Sequence, residues 1–129
     1  MSEVIILGPE AGRSDELGQM RAVFKADCKE TADRYSISEW WLEPGADGPG
    51  AHSHSEHHDI FYVVEGVASF LIGARWIEVP RGGFLRIPPG VTHDFRNRSA
   101  ARVGLLNFYL PGGFERDMPK IVAWFARQG

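Results

Sequence analysis

The feature that most constrains the fold is the regular spacing of turn residues after residue 65. Glycine, proline and polar breaks there separate short runs that are rich in β-branched and aromatic residues. These runs cover residues 60–64, 68–72, 76–79, 84–87, 92–96 and 103–110. Fifteen glycines and eight prolines in 129 residues also indicate many turns. Short strands at such even spacing are typical of a β-sandwich or a small barrel, so the sequence predicts an all-β fold.

The first 50 residues are less regular. Three runs rich in apolar or alternating residues are predicted as strands, at residues 4–7, 20–26 and 35–42. The segments between and after them are polar, glycine-containing or charged and are predicted as loops, at residues 8–18, 27–34 and 43–50. A further short strand is expected to carry His52 and His54.

The C-terminal segment has a different period. After Gly113, apolar residues recur at helical spacing, at Phe114, Met118, Ile121, Val122 and Phe125. This pattern predicts an amphipathic helix that covers one face or mouth of the barrel. Trp124 lies off the apolar stripe and is expected to be exposed or in a dimer contact. We therefore expect one domain over residues 1–129, with N-terminal strands and a loop (1–34), a barrel (35–110) and a helix (111–129).

Charge and composition exclude several classes of partner. The net charge is −3 and the arginines are scattered, so we expect no nucleic acid partner. The apolar runs are too short to cross a bilayer, so we expect no membrane partner. The one cysteine, Cys28, can form no internal disulfide, and the N-terminus lacks the pattern of a signal peptide. A cytoplasmic location is expected.

The histidines are concentrated in two segments. Four of the five lie between residues 50 and 66, at His52, His54, His57 and His58, and the fifth is His93. Neutral imidazole is the commonest protein ligand for first-row transition metals and zinc. Charged imidazoles that are crowded together repel each other, whereas a shared cation makes the crowding favourable. The cluster is therefore a candidate metal site.

The spacing within the cluster suits a metal site built on strands. Because alternate side chains of a strand share a face, His52 and His54 are expected to point the same way. Asp59 begins the next strand, and His93 would add a third nitrogen to its carboxylate oxygen. Such a set leaves positions free on an octahedral ion, as a catalytic site requires.

Both segments resemble the motifs of the cupin superfamily. The first motif is matched by His52, His54, Asp59 and Gly66 at the family's spacing, and the second by Gly82, Pro88, Gly90, His93 and Asn97. The flanking residues are similar to those of small single-domain cupins of the quercetinase type. The resemblance implies a double-stranded β-helix (jelly-roll) barrel with a C-terminal helix. It also implies one divalent ion (iron, manganese, nickel, copper or zinc) bound by His52, His54, Asp59 and His93.

Asp59 stands where the family usually has glutamate, and its side chain reaches about 1.5 Å less far. Asp59 could bind the ion directly or through water, or orient an imidazole, or leave the position to His57 or His58. The glycines, Pro88 and Asn97 of the second motif are expected to be turn residues that position His93.

The resemblance implies a metal-dependent dioxygenase that acts on a small hydroxylated aromatic or enediol substrate, with Asp59 as a possible base. Phe61, Phe95 and Tyr109 would then line the substrate pocket; the other interpretation is that they are plain core residues. A binding protein without turnover, or an isomerase or cyclase, is the alternative function. A homodimer is expected from the resemblance and from apolar residues on both faces of residues 60–63.

Overall fold

The strands form two antiparallel sheets that enclose the core. The computed structural model describes residues 3–128. Its strands are β1 (Arg13–Leu17), β2 (Met20–Ala26), β3 (Ser36–Leu42), β4 (His58–Glu65), β5 (Val67–Ile72), β6 (Arg75–Pro80), β7 (Phe84–Ile87), β8 (His93–Arg96) and β9 (Val103–Leu110). One sheet has the order β1-β2-β3-β9-β4-β7, and the other has the order β6-β5-β8. The predicted all-β barrel of jelly-roll type is confirmed.

Strand β4 shows how alternation builds this core. Its inward residues Asp59, Phe61 and Val63 are each at most 4% exposed, whereas Tyr62 between them is 42% exposed. Phe61 packs against Phe95 of the opposite sheet, with ring centroids 5.5 Å apart. One face of the strand therefore lies between the sheets and the other lies outside them, which is what the period of two predicts.

Two predictions for the N-terminal region are wrong. Residues 4–7 form no strand in the described chain, and the side chains of Val4 and Ile6 are 89% and 88% exposed. Residues 13–17, predicted as part of a loop, form edge strand β1 and pair along their whole length with β2. An edge strand needs only one partner strand and turns its polar side chains to solvent. Its composition is therefore that of a loop, and the sequence pattern does not identify it as a strand. An apolar run, conversely, provides no partner strand by itself.

The C-terminal helix packs against the core of the barrel. A 3-10 turn (Phe114–Asp117) leads into α1 (Met118–Gln128), and Met118 is buried in the core. The carboxylate of Glu115 accepts hydrogen bonds from the backbone N–H of Cys28 at 2.8 Å and from the hydroxyl of Ser36 at 2.9 Å. These bonds join the start of the helix to strand β3 and to the segment before it. The predicted helix is thus confirmed, and Trp124 is 47% exposed.

Within residues 3–128, neither the length nor the apolar content of any helix suffices to cross a membrane.

Asn97 joins three segments at the end of β8. Its fully buried side-chain amide donates to the carbonyl oxygens of Leu42 at 3.2 Å, Glu43 at 3.1 Å and Ala101 at 2.7 Å. Its own oxygen accepts from the N–H of Ser99 at 2.9 Å. A buried amide with all of its polar atoms paired fixes the local geometry, because each unpaired group would be costly. Asn97 therefore holds β8, and with it His93, in place.

We predict that Asn97→Ala lowers the free energy of unfolding by about 3 kcal/mol, because it leaves several buried carbonyls without their donor. Urea denaturation followed by tryptophan fluorescence measures this loss. Arg98→Ala is the matched control, since Arg98 is exposed and its bond to Asp47 is an exposed ion pair. That variant should lose less than about 1 kcal/mol. Equal losses in the two variants would contradict the role given to Asn97.

Candidate metal centre

Backbone hydrogen bonds bring the two histidine segments together. The N–H of His52 donates to the carbonyl of His93 at 3.0 Å, and the N–H of His93 donates back at 2.8 Å. This isolated bridge replaces the short strand that the sequence predicted at residues 52–54. Gly48 lets the preceding loop run against β8, because a Cβ atom there would lie 1.8 Å from the carbonyl oxygen of Phe95. The loop holds His52 beside His93 through this single bridge, and a longer strand is not required.

Four side chains converge at this bridge. The ring centroid of His52 is 4.4 Å from that of His93 and 5.0 Å from that of His54. A carboxylate oxygen of Asp59 lies 3.0 Å from Nε2 of His93 and 3.6 Å from Nε2 of His54. One ligand atom from each of the four residues lies within 4.8 Å of all the others. The group could therefore hold a single metal ion, as the spacing of the motifs predicted.

The hydrogen bonds of the rings suit metal ligation. Nδ1 of His52 donates to the carbonyl of Gly50 at 2.6 Å, and Nδ1 of His93 donates to that of Val91 at 2.9 Å. Such second hydrogen bonds fix the tautomer and leave Nε2 as the metal-binding atom. Nε2 of His54 is buried and has no hydrogen-bond partner among the described residues. A buried nitrogen without a partner is rare, and an ion at this point would satisfy it.

The charges in the cluster are balanced by short contacts. Burial acts to raise the pKa of Asp59, but the adjacent side chains of His54, His93 and Asn107 outweigh it and hold the pKa below its usual value. Burial alone would lower the pKa of His93, yet the hydrogen bonds to Asp59 and to a backbone carbonyl raise it. Burial lowers the pKa of His52. Asp59 is therefore ionised at neutral pH, and a proton competes with an ion more strongly at His93 than at His52.

Asn107 is a site residue that the sequence analysis missed. Its amide nitrogen donates to the second oxygen of Asp59 at 2.5 Å and to the carbonyl of Ile60 at 3.1 Å. Asn107 is buried on the inward face of β9, between the inward residues Leu105 and Tyr109. An amide at an inward position of an apolar strand is a signal that could have identified it, because buried polar groups need partners.

Tyr109 and His57 form the border of the cluster. The hydroxyl of Tyr109 lies 3.2 Å from Nδ1 of His54, and burial raises the pKa of this phenol. The phenol is therefore neutral and can orient the imidazole. The ring of His57 stacks on that of Tyr109 at 4.4 Å and lies, like His58, outside the group of four. The structure thus brings Asp59, rather than His57 or His58, to the other three ligand candidates.

A cavity of about 380 Å³ opens beside His52 and His54. Its other lining residues are Pro49, Phe114, Asp117, Lys120, Ile121, Trp124 and Phe125. Phe61 and Phe95 lie deeper, in the core between the sheets, and neither they nor Tyr109 line this cavity. Their role in substrate binding stays a prediction. The 3-10 turn and α1, predicted to cover one face or mouth of the barrel, together provide most of the cavity wall.

Comparison with known proteins agrees with this arrangement. The family model of the cupin domain matches residues 38–109, which is more than half of the chain. The chain belongs to the cupin family. In this cupin, the matched residues hold all four members of the cluster. No curated protein matches the sequence closely.

Three solved structures are similar to the cupin over most of its length. KdgF from Halomonas sp. is 15% identical, covers 88% of this chain and 98% of its own, and gives a TM-score of 0.75. An RmlC-like cupin from Shewanella frigidimarina is 20% identical, with 88% and 96% covered and a TM-score of 0.72. Ectoine synthase from P. lautus is 12% identical, with 83% and 75% covered and a TM-score of 0.70. At such identities the likeness shows the shared fold alone.

We predict that metal bound by this cupin is released as the pH falls through the imidazole range. Imidazole binds metal only without its proton, so acid competes with the ion, and it does so more strongly at His93, where the pKa is raised, than at His52, where it is lowered. Zinc-loaded protein dialysed in steps from about pH 8 to about pH 5 should lose most of its zinc near the ordinary histidine range. Elemental analysis measures the content. His57→Ala should give the same curve, and a content that is constant down to about pH 5 would contradict histidine ligation.

Proposed function

We propose that the protein is a metal-dependent, dioxygenase-like oxidoreductase whose substrate is a small hydroxylated aromatic or enediol compound. The proposed ligands are His52, His54, Asp59 and His93. The observation that carries the proposal is the position of this group: it lies where a half-buried pair of imidazoles opens into a largely apolar cavity. Largely apolar cavities with a few convergent polar groups are the usual sites of small-molecule chemistry.

A divalent ion would act as a Lewis acid and as a template for the oxygens of the substrate. The protein's own residues fix the geometry. Backbone carbonyls hold the rings of His52 and His93, and Tyr109 holds that of His54. Asp59 is ionised and buried, so we propose it as the base that accepts a proton from a substrate hydroxyl. The amide of Asn107 holds one carboxylate oxygen of Asp59 in place.

Binding without turnover, or an isomerase or cyclase reaction, is the second candidate. Two observations favour it. The carboxylate of Asp59 is already paired with His93 and Asn107, which leaves it less able to move a proton. One of the structural relatives is an ectoine synthase, so the fold is compatible with chemistry other than oxygenation. A ligand that raises the melting temperature and is recovered unchanged would support binding, and a product formed without oxygen uptake would support the other reactions.

We predict oxygen uptake when the metal-reconstituted protein is given a flavonol or a simpler enediol. The double variant His52→Ala/His93→Ala should lose stoichiometric metal, and its rate should fall by roughly a hundredfold or more. An oxygen electrode and elemental analysis measure the two effects. His57→Ala should retain both, since its ring stacks on Tyr109 outside the cluster. If no divalent ion supports uptake with either type of compound, the dioxygenase proposal is wrong.

We further propose that two copies form a homodimer through the outer face of the larger sheet. Tyr62 of β4 lies opposite Phe84 of β7 and Leu106 of β9 in the strand register. Tyr62 and Phe84 are 42% and 63% exposed, and the neighbouring Ile60 and Phe108 are half-buried. Contiguous exposed apolar surface of this kind is typical of a contact between proteins.

We predict that Phe84→Asp shifts the protein to monomer, because it buries a charge in this apolar contact. Sedimentation velocity measures the change. Ile77→Asp is the matched control, since Ile77 is 45% exposed on β6 of the other sheet. A dimer that survives Phe84→Asp and dissociates with Ile77→Asp would place the interface on the smaller sheet.

A cytoplasmic location is also proposed. Cys28 is a free and buried thiol. Burial, followed by the nearby Glu115 carboxylate, raises its pKa, so the thiol stays protonated. A free thiol of this kind suits a reducing compartment.

A further inference from the structure

The wall of the cavity beside the cluster is aromatic on the side of the C-terminal helix. Trp124 and Phe125 lie edge to face with ring centroids 5.0 Å apart. Phe114 continues this wall to His54, with ring centroids 6.3 Å apart. Trp124 lines the cavity and is still 47% exposed. A large aromatic side chain that faces an open cavity is a surface to which a flat, apolar group can bind.

We propose that this wall is the subsite for a planar ring of the substrate, with Trp124 as the residue that selects for it. The substrate class is a small, singly charged, ring-bearing oxygen chelator. Its oxygens would meet the ion at His52 and His54, and its ring would lie along α1. This inference rests on the proposed metal site and adds to it the position and the size of the organic part.

The volume of the cavity agrees with one ring. A cavity of about 150 Å³ is large enough to hold benzene. The space beside His52 and His54 is about 380 Å³. It therefore accommodates a single substituted ring together with its chelating group. The wall formed by Ile121, Trp124 and Phe125 is apolar. It therefore stabilises a bound ring by burying its apolar surface and stabilises a polar chain much less.

The charges around the cavity agree with a single negative charge on the ligand. Asp117 and Lys120 both line the cavity, and one carboxylate cancels one ammonium. The cluster itself contains one carboxylate, that of Asp59. A divalent ion bound by this carboxylate and by three neutral imidazoles therefore leaves one net positive charge at the site. A ligand that binds as a monoanion neutralises it, and such complementarity favours specificity.

Two hydroxamates that share one chelating group test the inference. Benzohydroxamate carries a phenyl ring where acetohydroxamate carries a methyl group, and both chelate as monoanions. Titration calorimetry on the zinc-loaded protein should show about tenfold tighter binding of benzohydroxamate. Zinc is redox-inert, so binding is measured without turnover.

Trp124→Ala should remove this preference and change the affinity for acetohydroxamate by less than about twofold, which also shows that the variant is folded and holds zinc. Trp76→Ala is the matched control, because Trp76 is a partly exposed tryptophan on β6, outside the cavity lining. It should keep the full preference. Lys120→Met should weaken both probes alike, since it removes a charge and leaves the wall intact.

Equal affinity of the two probes for the native protein, or a preference that survives Trp124→Ala, would overturn the inference alone. A zinc-loaded protein that binds neither probe would overturn it as well. A protein that binds no zinc would overturn the proposed function together with this inference, and elemental analysis separates these cases. If Trp124→Ala instead dissociates a dimer in sedimentation velocity, Trp124 belongs to a contact between copies and the subsite assignment is wrong.

Discussion

The site depends on one pair of backbone hydrogen bonds. His52 and His93 are forty-one positions apart, and each donates its N–H to the carbonyl of the other. This reciprocal pair fixes the distance between the two backbone segments, and the Nδ1 bonds to the carbonyls of Gly50 and Val91 then orient the two rings. Two residues outside the cluster position this pair of hydrogen bonds. Gly48 lets the loop that carries His52 approach β8 closely, and Asn97 holds the strand that carries His93. Backbone groups thus orient His52 and His93, whereas the side chains of Tyr109 and Asn107 contact His54 and Asp59.

The same cluster has a cost in the stability of the fold. A carboxylate at the position of Asp59, 4% exposed, is costly to bury without partners. Asn107 and His93 supply these partners within hydrogen-bonding distance. His54 nevertheless keeps a buried nitrogen without a partner among residues 3–128. The barrel therefore tolerates an incompletely satisfied polar centre inside an apolar core, and such tolerance is typical of sites that are kept for function.

Sequence reasoning succeeded where the spacing of residues along the chain carries the signal. The spacing of the two motifs predicted which imidazoles and which carboxylate converge, and strand alternation predicted the inward face of β4. It failed where a partner decides the outcome. Edge strand β1 is polar and is a strand only because β2 lies beside it, while the aliphatic residues 4–7 have no such neighbour in the described chain. The helix wall of the cavity was missed for the same reason, since periodicity shows which side of a helix is apolar and not what faces it.

The helix wall of the cavity and the candidate ligands are carried by different parts of the chain. An added Cβ atom at Gly18 would lie 3.6 Å from the ring of Phe125, and Gly18 has a positive φ of 65°. Phe125 of α1 thus lies beside the β1–β2 turn, whereas the ligand candidates are carried by other loops and strands. A change in this surface hairpin would alter the helix wall of the cavity and leave the candidate ligands in place. Related chains that differ there would accept different organic molecules at the same cluster. Diversification of such a barrel would then proceed from its periphery.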